Sequence, residues 1–169
     1  MEQRYDLSGS LLHWYDYNKR ILPWRENKDP YRIWISEIML QQTRVEAVKP
    51  YFDRFMEVLP TVYDLAKVDD DRLMKLWEGL GYYNRARNLK AAAQTIVEEY
   101  GGQLPADYDK LLSLKGIGMY TAGAIGSIAF ELQVPAVDGN VLRVISRITE
   151  DRQDIMKQSV RRQIEENLL

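Results

Sequence analysis

The hydrophobic pattern of the chain breaks into helical segments separated by glycine, proline and cap-forming residues. Leu11, Leu12, Trp14 and Tyr15 predict a packing helix from Ser8 to Arg20, followed by an extended link, Ile21 to Arg25, held by Pro23. Asp29-Pro30 opens the next helix in the preferred order, cap then proline at the first turn. That helix runs to Thr43 with Ile33, Trp34, Ile35, Ile38, Met39 and Leu40 on nearly every face, the pattern of a buried helix. Val45 to Val68 reads as two helices. Pro50 opens the first, which carries Phe52, Phe55 and Met56 and stops at Pro60, and Thr61 with Asp64 forms a capping box for the second. Asp69 to Trp77 follows with its acids on the first turn, where the helix dipole favours them. A long helix after Arg87 packs Leu89, Ala93, Ile96, Val97 and Tyr100 and ends at Gly101-Gly102. Beyond Leu111, Leu112 and Leu114, Gly116 and Gly118 interrupt helix-forming text, and a new helix begins at about Met119: helix, tight hairpin, helix. Asp138 stands as N-cap before Val141, Leu142, Val144, Ile145 and Ile148. A last helix is predicted over Arg152 to Leu169, and the fold class is all-α.

Composition narrows the chemistry. The 169 residues include 23 basic and 25 acidic side chains, for a net charge of −2. A nucleic-acid face must therefore be a local patch, since the whole-chain field does not attract phosphate. Cysteine is absent and histidine is represented by His13 alone, so disulfides, thiolate metal sites and zinc are not expected within this chain. No stretch is apolar and uncharged for long enough to span a bilayer, and the N-terminus lacks a signal-peptide core. A cytoplasmic protein without membrane contact is the expectation.

Four stretches carry candidate chemistry. Glu37 stands in the middle of the buried-helix pattern, with Ile33, Trp34, Leu40 and Gln41 as its nearest helical neighbours and no cation among them. Desolvation is expected to raise its pKa, the condition a general acid needs near neutral pH, unless it pairs with a distant arginine. Gly116 and Gly118 allow either an ordinary helix cap or a hairpin whose following helix offers open N–H groups to a phosphate. Gly79-Leu80-Gly81-Tyr82-Tyr83, followed by Arg85, Arg87 and Lys90, suits either helix packing or a wedge between bases with cations on the backbone. Trp24 and Arg25 read as an aromatic anchor with a surface charge.

Taken together, Leu111 to Ile125 (LLSLKGIGMYTAGAI), the Val134 to Arg143 segment (VPAVDGNVLR), Ser36 to Thr43 (SEIMLQQT) and Leu76 to Leu89 (LWEGLGYYNRARNL) resemble the helix–hairpin–helix DNA glycosylases. Within that superfamily the chain is most similar to the adenine-specific mismatch glycosylases. The resemblance implies a six-helix lobe over residues 25–134, with the helix–hairpin–helix motif at about 107–130. A second lobe, made of residues 1–24 and 135–169, is expected to be incomplete at its C-terminal end. It also implies roles. Glu37, Asp138, Tyr120 and Asn140 would be catalytic, and Trp24, Arg25, Leu40 and Gln41 would wall the pocket for the extruded base. Gln42, Thr43, Leu80 and Tyr82 would enter the stack and touch the opposing base. Lys115, Gly116, Gly118 and Thr121 would form the phosphate-binding hairpin. Lys115 departs from the family, where proline is usual.

The implied reaction is hydrolysis of the N-glycosidic bond of adenine mispaired with 8-oxoguanine or guanine in double-stranded DNA, by a monomer associated with the bacterial nucleoid. Bifunctional relatives place a Schiff-base lysine at the position of Tyr120, which a tyrosine does not replace, so the resemblance implies a monofunctional enzyme. Longer family members continue into four cysteines holding an iron–sulfur cluster and often into a domain that reads 8-oxoguanine. This chain is expected to be the N-terminal catalytic portion of such a protein. A thymine mismatch glycosylase, a base-excision lyase (against which Tyr120 argues) and a catalytically silent DNA-binding fragment are the alternatives.

Overall fold

A computed structural model describes residues 7–168, and all regular structure among them is helical. α1 (Leu7–Asn18) leads through a 3-10 turn (Pro23–Arg25) to α2 (Pro30–Leu40), α3 (Val45–Val58), α4 (Val62–Lys67) and α5 (Asp70–Trp77). Then come α6 (Asn84–Tyr100), α7 (Tyr108–Ser113), α8 (Met119–Phe130), α9 (Gly139–Ile148) and α10 (Gln158–Asn167). None of the described helices is long and apolar enough to cross a membrane.

Local chemistry explains most of the helix ends. The Asp29 carboxylate accepts from the backbone N–H groups of Tyr31 and Arg32 and starts α2, with Pro30 at its first position. Thr61 and Asp64 close a reciprocal capping box at α4. Gly101, at φ +61°, ends α6 in the left-handed conformation, and the Gly102 N–H reaches back to the Ile96 carbonyl.

Three expectations change. Pro50 lies inside α3, which begins at Val45. The missing N–H removes one helical bond, yet buried Val48 and Phe52 hold the turns on either side of Pro50 in the core, and the Arg44 carbonyl accepts from both Ala47 and Val48. The last helix begins only at Gln158. Upstream of it, Asp151 and Asp154 bond the N–H groups of Gln153 and Met156 and hold the backbone in turns. Leu169 lies outside the described residues. α1 forms, but none of its residues is buried; Leu11, Leu12 and Trp14 are each more than half exposed, so the packing role expected of it is not realised among the described residues.

Two cores follow. The large one runs from Trp24 to Ile125 and has α2 at its centre, packed against α3, α8 and the 3-10 turn, with α4 lying along α6. Trp24 is 1% exposed and belongs to this core, although the sequence division left it with the N-terminal segment. The small core, Leu142, Val160 and Ile164, joins α9 to α10. At the junction, a Cβ on Gly123 of α8 would stand 2.1 Å from the Pro135 carbonyl oxygen. Glycine there lets the Val134–Asp138 segment lie directly on α8, close to its first turn.

Candidate active site

Glu37 is 4% exposed in the middle of α2. Burial raises its pKa above the ordinary carboxylate value, and it outweighs the two influences that lower it: the Arg25 guanidinium and a hydrogen bond from the Tyr120 hydroxyl. Arg25 Nη2 lies 3.5 Å from Glu37 Oε1. It therefore supplies the distant cation that the helical neighbours of Glu37 lack. The 3-10 turn carrying Arg25 is fixed from below. Trp24 meets Phe52 edge to face at 5.3 Å, and Arg32 donates to the Pro23 carbonyl at 2.9 Å while lying over the Phe52 ring.

Tyr120 stands on the first turn of α8. Burial, followed by the Glu37 charge, pushes its phenol pKa far above the usual value, so the hydroxyl remains a donor throughout the physiological range. Asp138 is half-buried and caps α9. Its Oδ1 accepts from the N–H groups of Asn140 and Val141, each at 2.9 Å, and its Oδ2 from Asn140 Nδ2 at 2.8 Å. Asp138 thus caps α9 and also lines the Glu37 cavity.

That cavity, about 320 Å³, is lined by Trp24, Arg25, Glu37, Leu40, Gln41, Tyr120 and Asp138. Its volume lies in the range of small-molecule sites. Leu22, from the Leu-Pro-Trp-Arg segment whose resemblance implies a pocket wall, also lines it, as do Arg20 and Val45, which were not singled out from sequence. The only sequence signal for Arg20 was its position just before that segment. Asn140 is exposed and reaches the site through Asp138.

A second concavity, about 350 Å³, is shared by Gln41, Gln42, Tyr82 and Arg85. Tyr82 is 65% exposed with φ +49°, and Gln42 has φ +59°. Two non-glycine residues with left-handed backbone at neighbouring loop tips are uncommon. Thr43 closes its own turn, bonding the Gln41 carbonyl at 3.4 Å. Leu80 is 7% exposed and packs in the large core, so it is removed from the surface that sequence assigned to it. Arg85, read from sequence as part of a local positive charge, turns inward.

The hairpin forms as expected. Gly116, at φ +83°, passes so close to Asn88 that a Cβ would come within 2.7 Å of it, and Gly118 precedes α8 without a side-chain cap. Lys115, Gly116 and Gly118 are exposed, while Thr121 is 2% exposed, which leaves its hydroxyl away from any surface anion.

A family model described as HhH-GPD superfamily base excision DNA repair protein matches residues 35–168. The chain is 47% identical over 148 residues to the adenine DNA glycosylase of Rattus norvegicus, covering 82% of this chain and 29% of that protein. It is 43% identical to the adenine DNA glycosylase of Buchnera aphidicola subsp. Baizongia pistaciae, covering 82% of this chain and 40% of that one. It thus spans well under half the length of the curated relatives it matches. Among solved structures, a thermostable thymine-DNA glycosylase superposes with a TM-score of 0.82 at 30% identity, covering 94% of this chain and 75% of that chain. Endonuclease III in a non-covalent DNA complex superposes at 0.79 and 26%, covering all of this chain and 78% of that one. With the family match taking in Glu37, the hairpin and Asp138, the chain belongs to the HhH-GPD superfamily of base excision DNA repair proteins.

Proposed function

We propose that this chain is the catalytic portion of a monofunctional DNA glycosylase that removes adenine mispaired with 8-oxoguanine or guanine. The observation that carries this reading is that Glu37, Tyr120 and Asp138, from three separate elements, face one cavity. A base stacked in a duplex is out of reach, so the adenine is extruded into that cavity. Tyr82, Gln42 and Thr43 enter the stack it leaves, and the exposed Gly116–Gly118 hairpin holds the backbone phosphate. Trp24, Arg25, Leu40 and Gln41 wall the extruded base.

Adenine leaves poorly until it is protonated. Glu37, kept protonated to higher pH by burial, donates to the purine ring, at N7 by family resemblance. Cleavage of the glycosidic bond leaves an oxocarbenium-like sugar. Asp138 stabilises that charge, or captures it covalently, before water completes hydrolysis at the sugar carbon. Asn140 orients Asp138, and Tyr120 orients Glu37. With tyrosine at position 120 there is no Schiff-base amine, and the product is an abasic site. The partner is double-stranded DNA, met by a monomer associated with the bacterial nucleoid. An iron–sulfur cluster, implied for longer family members, requires thiolate ligands. The chain contains no cysteine, so none of its residues holds one.

The likeness to a thymine-DNA glycosylase carries a second reading, removal of thymine from G·T pairs; the buried acid Glu37 favours a purine that needs protonation. Single-turnover base release from duplexes with adenine opposite 8-oxoguanine and thymine opposite guanine tests both. Release of adenine, revealed only after alkali and lost in Asp138→Asn, supports the first reading. Release of thymine alone supports the second. Strand cleavage without alkali, with borohydride trapping of an adduct, contradicts both. Duplex binding without release of either base would mark the chain as the DNA-gripping portion of a longer enzyme.

A further inference from the structure

Arg85 stands at the start of α6, where an exposed cation would be free to meet DNA. Its guanidinium instead spans two loops. Nη1 donates to the carbonyls of Ile38 (2.7 Å), Met39 (3.2 Å) and Gln41 (2.8 Å), and Nη2 to those of Leu80 (3.0 Å) and Gly81 (3.3 Å). The first two belong to the last turn of α2 and the third to Gln41, its C-cap, where carbonyls have no partner within the helix. The other two belong to the loop that presents Tyr82. The guanidinium also lies 5.4 Å from the Trp77 ring centroid and 5.6 Å from that of Tyr82. Trp77 adds its own bond to the Gly81 carbonyl at 3.1 Å.

α2 ends here without a glycine, and Gln42, just past the Gln41 cap, is left-handed. Burial lowers the Arg85 pKa, yet guanidinium stays charged, and a cation at a helix C-terminus is favourably placed. Its planar fork reaches both loops at once, and a lysine ammonium, a compact point charge, does not.

We propose that Arg85 is a positioning residue that couples the end of the Glu37 helix to the Tyr82 loop, so that Gln42 and Tyr82 enter the DNA stack as one unit with the acid in register. This rests on the proposed base-extrusion reading. Arg85 touches neither base nor sugar and acts through the two loops it joins. The coupling gives mispair opening a single concerted step, in place of two independent insertions.

The test uses the whole chain and its Arg85→Lys and Arg85→Met variants. Amide hydrogen exchange of the free proteins is expected to quicken together in residues 40–43 and 79–83 in both variants, while the Leu89–Ile96 stretch of α6 stays protected. Stopped-flow fluorescence of 2-aminopurine placed next to an adenine·8-oxoguanine pair is expected to show unstacking slowed by about 10- to 100-fold, the size expected of a misplaced group. Quickened exchange in one loop alone would overturn the coupling. So would full rescue by lysine, or parental unstacking rates with both loops loosened. If the parent releases no base, the proposed reaction fails and not the coupling, which exchange and unstacking judge without catalysis.

Discussion

Glu37 and Asp138 face the same cavity from opposite kinds of ground. Glu37 projects from the largely buried α2, in the larger core, where desolvation dominates and raises its pKa. Asp138 sits at the rim, where the small core begins, held by two backbone N–H groups and the Asn140 amide at the positive end of a helix. On the proposed reading, identical carboxyl groups in unlike surroundings take unlike tasks, one donating a proton and the other stabilising the sugar. The comparison also shows where precision comes from. Packing places Glu37, whereas a cap and the close approach at Gly123 place Asp138.

The largest effect is expected from Glu37→Gln, which removes the acid while keeping its shape. Single-turnover adenine release should fall by about 10²–10⁴-fold with duplex affinity little changed. The pH profile sharpens this. The acid must be protonated, so the parent rate falls as pH rises through the raised Glu37 pKa. Arg25 lowers that pKa, so Arg25→Met should carry the fall to higher pH. A profile that moves to lower pH in that variant would refute the assignment.

Asp138→Asn comes next, with release expected to drop by about 10²–10³-fold, as when a transition-state charge loses its partner. Asparagine caps helices as well as aspartate, so thermal stability should hold, whereas Asp138→Ala should lose about 1 kcal/mol as well as activity. Equal melting of the two variants would mean that the cap contributes little.

Gly123→Ala tests the junction between the two grounds. Its Cβ would meet backbone atoms of Pro135 and Ala136, which have no rotamer by which to escape. The displaced segment should cost about 1–3 kcal/mol and slow release by about 10-fold or more. Retained activity would show that Asp138 is placed by α9 alone.

Tyr82→Ala should weaken mispair binding by about 10-fold through lost stacking. An exposed side chain of this kind should leave the melting temperature nearly unchanged.

The smallest effect is on stability and returns to Glu37. Its folded pKa lies above the ordinary 4.5. The contribution of the protonated carboxyl is therefore whole below about that value and is lost as pH rises through the folded pKa. Glu37→Gln escapes that loss. Its melting temperature should match the parent at about pH 4 and exceed it at about pH 8.

What the sequence alone determined is the class of fold and the local punctuation: the Asp29, Thr61 and Asp138 caps, the Gly101 stop and the Gly116–Gly118 hairpin. Each is satisfied within a few residues by hydrogen bonds or backbone angles that the residue type itself dictates. It also led to the expectation that Glu37 would be desolvated, because the surrounding pattern is apolar on nearly every face, but it left open a pairing with a distant arginine. The tertiary structure decided what no spacing encodes. It brought Arg25 to Glu37, sank Leu80 and Thr121 into the core, carried α3 through Pro50, left α1 uncovered among the described residues and turned Arg85 from solvent to five carbonyls. These outcomes depend on the competition of whole surfaces for burial and on polar partners tens of residues apart. A local signal, however clear, does not contain them.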